Sequence, residues 1–178
     1  MRVMGGGLRP TVLATLAFAA AAPAAEATSY RITVDRQGFV NRLGPLRTHS
    51  HPHPGDARAA FGRPSSQRAG RGVCRVKWSR LRLSTLYTSF AAITDFCRDG
   101  FLQTAVVRSR IWRTWKGLRV GMRSSRVRAL HRDARFERGK WVLATQSVFG
   151  SEPAPTVSAL VHGGKVTALS LFVGAAGD

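Results

Sequence analysis

The segment Val73-Cys74-Arg75-Val76-Lys77-Trp78 alternates apolar and polar residues along its whole length. A period of two is typical of a β-strand with one buried face and one solvated face. Two further strands are predicted after it, over residues 83–90 and 101–107, and Asp99-Gly100 supplies a tight-turn signal before the second of them. The middle of the chain is therefore predicted to form an antiparallel sheet of about three strands.

A short helix is predicted before this sheet and before a second group of strands. Residues 56–61 are predicted to form the first helix, with Asp56 as its N-cap and Gly62 as its stop. The second helix is predicted from Ser124 to about Ala134. Strands are predicted after it over residues 141–146, 156–161 and 166–173. The repeated order of turn, helix and strands indicates a tandem duplication.

We therefore expect an α+β fold of two tandem modules, each a short helix packed on a small antiparallel sheet of about three strands. Ala57 and Phe61 are expected to face the first sheet. The residues expected to face the second are Val127, Leu130, Val142, Ala144, Leu169 and Leu171. The expected segments are a strand and irregular stretch over 28–43, a first module over 44–107, a linker over 108–116, a second module over 117–173 and a tail over 174–178.

The first 27 residues have the pattern of a cleavable signal peptide. Arg2 and Arg9 precede an apolar run of about 12 residues, which is short for a membrane span. Ala25-Glu26-Ala27 then provides small residues where signal peptidase needs them. The chain is predicted to be secreted, with no transmembrane span in the mature part; an uncleaved membrane anchor is the alternative.

Cys74 and Cys97 are the two cysteines of the chain. An even count in an exported protein predicts a disulfide bond. The alternative is a thiol pair for metal or redox chemistry, but the spacing is not C-x-x-C.

The charge is strongly positive, with 28 Lys and Arg against 9 Asp and Glu and a formal net charge of +19. Such a charge attracts anionic polymers at low salt, and the attraction weakens as salt rises. Anionic wall polymers, lipid headgroups and acidic proteins are the candidate partners outside the cytoplasm, and nucleic acid is not expected. The alternative is that the excess of Arg reflects genome composition alone.

One stretch of the second half resembles a known pattern. Gly121-Met122-Arg123-Ser124-Ser125-Arg126-Val127 is similar to the G-M-[S/T]-x-x-x-V start of SmpA/OmlA-type envelope proteins and of the repeats of β-lactamase inhibitor proteins. In those families an L-G-x-P motif follows. This chain lacks the motif after Val127, and His131 stands at the position of its leucine. Phe61-Gly62-Arg63-Pro64 keeps that ending in the first half. The resemblance implies tandem helix-plus-sheet modules and implies no activity.

Three histidines at alternate positions form the sharpest cluster, His49, His51 and His53. Alternate residues of an extended chain point the same way, so three imidazoles could converge on Zn²⁺ or Cu²⁺. The alternative is an irregular loop, since two prolines and a glycine interrupt the stretch and no acid or Cys lies near to complete the site. No cofactor is predicted beyond this candidate metal.

Aromatic and basic residues interleave after residue 109. Such a surface can stack on sugars and hold anions, whereas the alternative is that the tryptophans close the core. The candidate anion-binding surface comprises Arg110, Trp112, Arg113, Trp115, Lys116, Arg119, Lys140 and Trp141.

The chain lacks the G-x-S-x-G and H-E-x-x-H motifs, and its few carboxylates are explained by turns and surface ion pairs. We therefore expect a non-catalytic protein-binding or structural module of the cell envelope. A polyanion-binding protein is the alternative, and an enzyme inhibitor is a further one.

Overall fold

A computed structural model describes residues 29–89, 95–147 and 153–174. The predicted signal peptide, residues 1–27, lies outside the described residues, and so do residues 175–178 of the predicted tail. The helices are α1 (Pro54–Phe61) and α2 (Ser125–Leu130). The strands are β1 (Tyr30–Val34), β2 (Val40–Leu43), β3 (Leu46–Arg47), β4 (Ser66–Gly70), β5 (Val73–Trp78), β6 (Leu83–Thr88), β7 (Phe101–Val107), β8 (Trp112–Thr114), β9 (Arg135–Glu137), β10 (Lys140–Gln146), β11 (Ala154–His162) and β12 (Lys165–Phe172).

The larger sheet has eight strands in the order β4-β5-β6-β7-β12-β11-β10-β9. Two antiparallel meanders, β4 to β7 and β9 to β12, therefore run inward from the two edges and meet at the β7–β12 pair. Val107 lies opposite Leu169 at this seam, and Ala105 lies opposite Leu171. The four side chains are almost fully buried, so the seam belongs to the hydrophobic core.

The smaller sheet has four strands in the order β3-β2-β1-β8. β1 pairs antiparallel with β2 but parallel with β8, so Tyr30 lies opposite Trp112. One buried cluster includes inward residues of both sheets, among them Ile32 and Leu43 from the smaller sheet and Val76 and Leu169 from the larger. The core therefore lies between the two sheets.

The expected α+β fold of two helix-on-sheet modules is wrong. The protein is mostly β: 49% of the described residues lie in strands and 10% in helices. The two groups of strands share one eight-stranded sheet, and each contributes four strands to it rather than three. The layer that faces this sheet is mostly the second sheet, which is largely built from the segment before residue 48. α1 and α2 are too short to cover a sheet of eight strands.

Both helices differ from their predicted limits. α1 begins at Pro54, and His53 precedes it as the N-cap. Asp56 lies one turn inside, where its carboxylate accepts the His53 backbone N–H at 2.8 Å, as in a capping box. Gly62 ends the helix at φ 77°, as predicted. α2 ends at Leu130 because His131 leaves the helical region at φ −119° and ψ 84°.

The inward assignments hold for most residues, with one shift in β10. Ala57 and Val127 are fully buried, and Phe61 and Leu130 pack partly buried against the core. Val142 is buried but lies outside the core cluster, whereas its neighbour Leu143 belongs to it. Irregular pairing between Val142 and Thr145 changes the alternation at this point, which a strict period of two does not anticipate.

Cys74 and Cys97 form a disulfide, as predicted. The bond links the inner face of β5 to the turn that precedes β7, so it joins two parts of the first meander. In the described part of the chain, no helix is both long enough and apolar enough to cross a membrane.

Candidate functional site

The strongest functional feature is a group of cations on the first meander, which we call the basic face. β4 and β5 pair so that Arg68 lies directly opposite Arg75. Lys77 lies two residues beyond Arg75, on the same side of β5, because side chains alternate along a strand. All three side chains are exposed. The basic face comprises these residues together with Arg82 and Arg108.

Arg82 and Arg108 extend the basic face to the end of the sheet. They line an open cleft of about 420 Å³ with Lys77, and Ser79 and Ser84 also contribute to its walls. The lining contains three cations and two hydroxyl groups but no carboxylate. Hydroxyl and guanidinium groups both donate hydrogen bonds, so the cleft suits phosphate, sulfate or carboxylate oxygens.

The turn between β5 and β6 holds the cleft in position. Trp78 pairs with Leu83 across the turn, and Arg82 N–H donates to the Ser79 carbonyl at 3.1 Å. The Arg82 carbonyl in turn accepts the Arg108 backbone N–H at 3.0 Å, which connects the turn to the end of β7. Arg82 has φ 48°, a left-handed conformation that glycine or asparagine adopts more readily.

Four of the acidic side chains are engaged away from the basic face. Asp35 accepts the backbone N–H groups of Gln37 and Phe39, each at 2.9 Å. Asp56 caps α1, and Asp95 accepts the Cys97 N–H at 2.9 Å. In the part of the chain that the structure describes, the one ion pair joins the exposed Arg98 and Asp99 at 3.5 Å. The basic face is therefore not neutralised by described residues.

The three candidate metal ligands make separate contacts and do not converge on one point. His53 Nδ1 lies 3.1 Å from the Gly100 carbonyl oxygen, and the His51 ring packs edge-on against Phe101 at 5.7 Å between centroids. His49 shares the lining of a small cavity with His51. Among the residues described, no group of three or more His, Cys, Asp or Glu is arranged to hold a metal ion.

The candidate aromatic surface is not a single surface. Trp112 is fully buried, stacks on Tyr30 at 4.8 Å and donates its indole N–H to the Leu81 carbonyl at 2.8 Å. Trp115 packs edge-on against His131, while Trp141 lies on the larger sheet beneath the Arg128 guanidinium. The basic members have no ion-pair partner among the described residues, and they lie at Arg110, Arg113, Lys116, Arg119 and Lys140.

Sequence reasoning missed His131, the buried titratable side chain after α2. Its ring is 1% exposed, and Nε2 lies 2.8 Å from the Thr114 hydroxyl, which also accepts the Leu118 N–H at 3.1 Å. Burial, assisted by the charge of Lys116, lowers the pKa of His131 to about 4. A ring this buried does not contact solvent ligands, so it serves the core rather than a binding site.

The basic face was also missed, although part of its signal was present. The alternation of β5 places Arg75 and Lys77 on one solvated face, as a strand prediction requires. Arg68 could not be added because the stretch around it, residues 63–72, lacks the apolar alternation that predicts a strand. Arg82 and Arg108 are adjacent only in the folded chain, through the β6–β7 pairing.

Comparison with known proteins gives little further information. No protein-family profile matches the chain, and no curated protein shows significant similarity to it. The structure is weakly similar to the crystal structure of the uncharacterized protein yfeY from Escherichia coli, at 10% sequence identity and a TM-score of 0.36. The match covers 82% of this chain and 99% of that chain.

Proposed function

We propose that this chain is an exported, non-catalytic protein that binds anionic polymers through the basic face. The observation that carries the proposal is the direct cross-strand pairing of Arg68 with Arg75. Like charges directly opposite each other destabilise a sheet, by up to about 1 kcal/mol. A bound polyanion removes this repulsion, so the pair is stabilised by the ligand that we propose.

The other residues of the basic face extend this pair into a row of cations. Lys77 continues the row along β5, and the cleft with Arg82 and Arg108 lies at its end. A polymer with regularly spaced anionic groups would contact the row and place one group in the cleft. Guanidinium groups donate paired hydrogen bonds to carboxylate, sulfate and phosphate, which favours arginine at such a site.

Export is part of the proposal and has two supports. The first 27 residues have the pattern of a signal peptide. The Cys74–Cys97 disulfide is typical of an oxidising compartment, because cytosolic thiols are kept reduced. Anionic wall polymers are the polyanions that an exported protein meets in quantity.

The test is a titration of the oxidised full-length mature chain with heparin and with polyphosphate, at low and high salt. The variant Arg68→Gln/Arg75→Gln should bind about tenfold more weakly, since it removes charge-assisted hydrogen bonds. The control Arg126→Gln/Arg132→Gln removes the same charge from exposed positions outside the basic face and should change affinity by less than about twofold.

The outcome for the two double variants decides the proposal. If both lose the same affinity, binding follows net charge alone and the basic face is not a site. If the protein passes both polyanions unretained at low salt, the proposal fails altogether.

A protein-binding module is a second candidate, supported by a different feature. Phe136 is 58% exposed and packs edge-on against Trp141 at 5.4 Å, with Arg128 over the Trp141 ring. Aromatic and arginine side chains are enriched in protein interfaces. A partner captured at high salt and lost on Phe136→Ser would favour this candidate.

A further inference from the structure

A second cavity lies at the β5–β6 turn, next to the cleft of the basic face, with which it shares Trp78 and Ser79 in its lining. It measures about 540 Å³ and lies between the end of α1 and the turn. Phe61, Trp78 and Leu81 supply its apolar walls, and Arg63 and Arg80 lie at its opening. A volume of this size falls within the range of small-molecule sites, about 300–1,000 Å³.

The apolar walls are held rigidly. The Trp78 indole N–H donates to the Gly62 carbonyl at 2.9 Å, and the Phe61 ring packs edge-on against Trp78 at 5.6 Å. The Leu81 carbonyl accepts the Trp112 indole N–H at 2.8 Å from the core side. Rings and turn are therefore fixed by contacts that do not involve a ligand, and a preformed site loses little entropy on binding.

The opening of this cavity is cationic. Arg63 and Arg80 are exposed, and neither forms an ion pair within the part of the chain that the structure describes. No carboxylate lines the cavity; its remaining polar groups are the hydroxyls of Ser65 and Ser79. The apolar walls and the cationic opening together complement a molecule with an apolar body and one anionic group.

We propose that this cavity binds a free amphipathic anion: an apolar chain or ring that carries a single carboxylate, sulfonate or phosphate. The apolar part lies against Phe61, Trp78 and Leu81, and the anionic group meets Arg63 and Arg80. This ligand differs from the polyanion of the basic face, because burial of its apolar part contributes binding energy that salt does not screen.

The probe for the test is 1-anilinonaphthalene-8-sulfonate, an aromatic sulfonate whose fluorescence rises in apolar sites. The oxidised protein should bind it at low and at moderate salt, and decanoate should displace it. Decanol lacks the charge and acetate lacks the chain, so neither should compete at the same concentration. Arg63→Gln/Arg80→Gln should weaken probe binding about tenfold, and Leu81→Ala should weaken it with native circular dichroism retained.

The control variants separate this site from the basic face. Arg68→Gln/Arg75→Gln should leave probe binding unchanged, while Arg63→Gln/Arg80→Gln should leave heparin affinity within about twofold. Equal competition by decanol, or unchanged probe affinity in Arg63→Gln/Arg80→Gln, would overturn the proposal. So would binding of decanoate only when it is embedded in phospholipid vesicles, since that result indicates a membrane surface as the ligand.

Discussion

The two meanders of the eight-stranded sheet follow the same inward order but are held by different chemistry. In the first, β4 to β7, a disulfide ties β5 to the turn before β7, and α1 begins with the His53–Asp56 capping pair. The second meander, β9 to β12, is preceded by α2. The side chain of Ser124, the N-cap residue of α2, makes no capping hydrogen bond. A buried His131 follows it in place of the glycine that ends α1.

Strand order and local stabilisation are therefore separate properties of this sheet. The first meander, with its covalent tie, also carries the repelling pair Arg68 and Arg75. The second lacks a disulfide and is stabilised by apolar packing, in which Val157 and Leu169 are fully buried. Such repelling pairs are not confined to the restrained meander, since Arg42 lies opposite Arg47 in the smaller sheet, which no disulfide restrains.

The largest effect is expected at the seam that the two meanders share. Leu169→Ala should reduce the free energy of unfolding by about 4 kcal/mol, because it leaves a cavity beside Val107. Urea unfolding followed by fluorescence and by circular dichroism should give one coincident transition. Leu160→Ala, at a half-buried position of β11, is the control and should cost less than about 1.5 kcal/mol. Two separate transitions would show that the meanders are independent.

Reduction of the disulfide should affect the first meander. The bond closes a loop with a sequence separation of 23, which corresponds to about 3 kcal/mol in the loop-entropy model. Amide exchange of the reduced protein should therefore increase more in β5 and β6 than in β10 and β11. A uniform increase across both meanders would contradict the local role that we assign to the bond.

Acid should act at His131, which follows α2 and forms a hydrogen bond with Thr114 of β8. The pKa of His131 is about 4 in the folded protein and about 6.5 when unfolded, so unfolding takes up a proton between these values. Stability is complete above about pH 6.5 and should fall by roughly 3 kcal/mol as the pH drops to about 4. His131→Leu should remove this step from the stability profile, and His162→Asn, an exposed control, should keep it. An unchanged step in His131→Leu would assign the acid response to other groups.

The smallest effect concerns two matching hairpin turns. Arg71 and Arg138 have φ 43° and φ 47°, and each precedes a glycine in a two-residue turn that favours asparagine at its first position. Arg71→Asn and Arg138→Asn should each stabilise the protein by about 0.5–1 kcal/mol. Thermal unfolding measures both. A loss of stability in either variant would show that the arginine makes a contact worth more than its backbone strain.

Much of the larger sheet could be predicted from the sequence. β5 was found from its alternation, whereas β6 and β7 were found from their β-branched, aromatic and apolar residues and from the Asp99-Gly100 turn signal. β4 and β9 were missed because they are edge strands: every residue of β9 is exposed, and only the first residue of β4 is half-buried. An exposed strand has no apolar face, so its sequence does not differ from that of a loop.

The smaller sheet was the main omission. β2, β3 and β8 are two to four residues long, too short for a periodic pattern to be recognised. β8 lies in the segment predicted as a linker, and its pairing with β1 depends on contacts across 82 positions. The basic face could not be predicted from the sequence for the same reason, because Arg68, Arg82 and Arg108 become neighbours only through strand pairing.

The parallel pairing of β1 with β8 has a consequence for synthesis. Tyr30 is synthesised 82 residues before its strand partner Trp112. The β1–β2–β3 unit has strands of only five, four and two residues and no second layer over its apolar face, so alone it is not stable in water. Its apolar residues Ile32 and Leu43 therefore stay uncovered until the first meander has been made. A chaperone that holds the nascent N-terminal segment over this interval would raise the yield of folded protein.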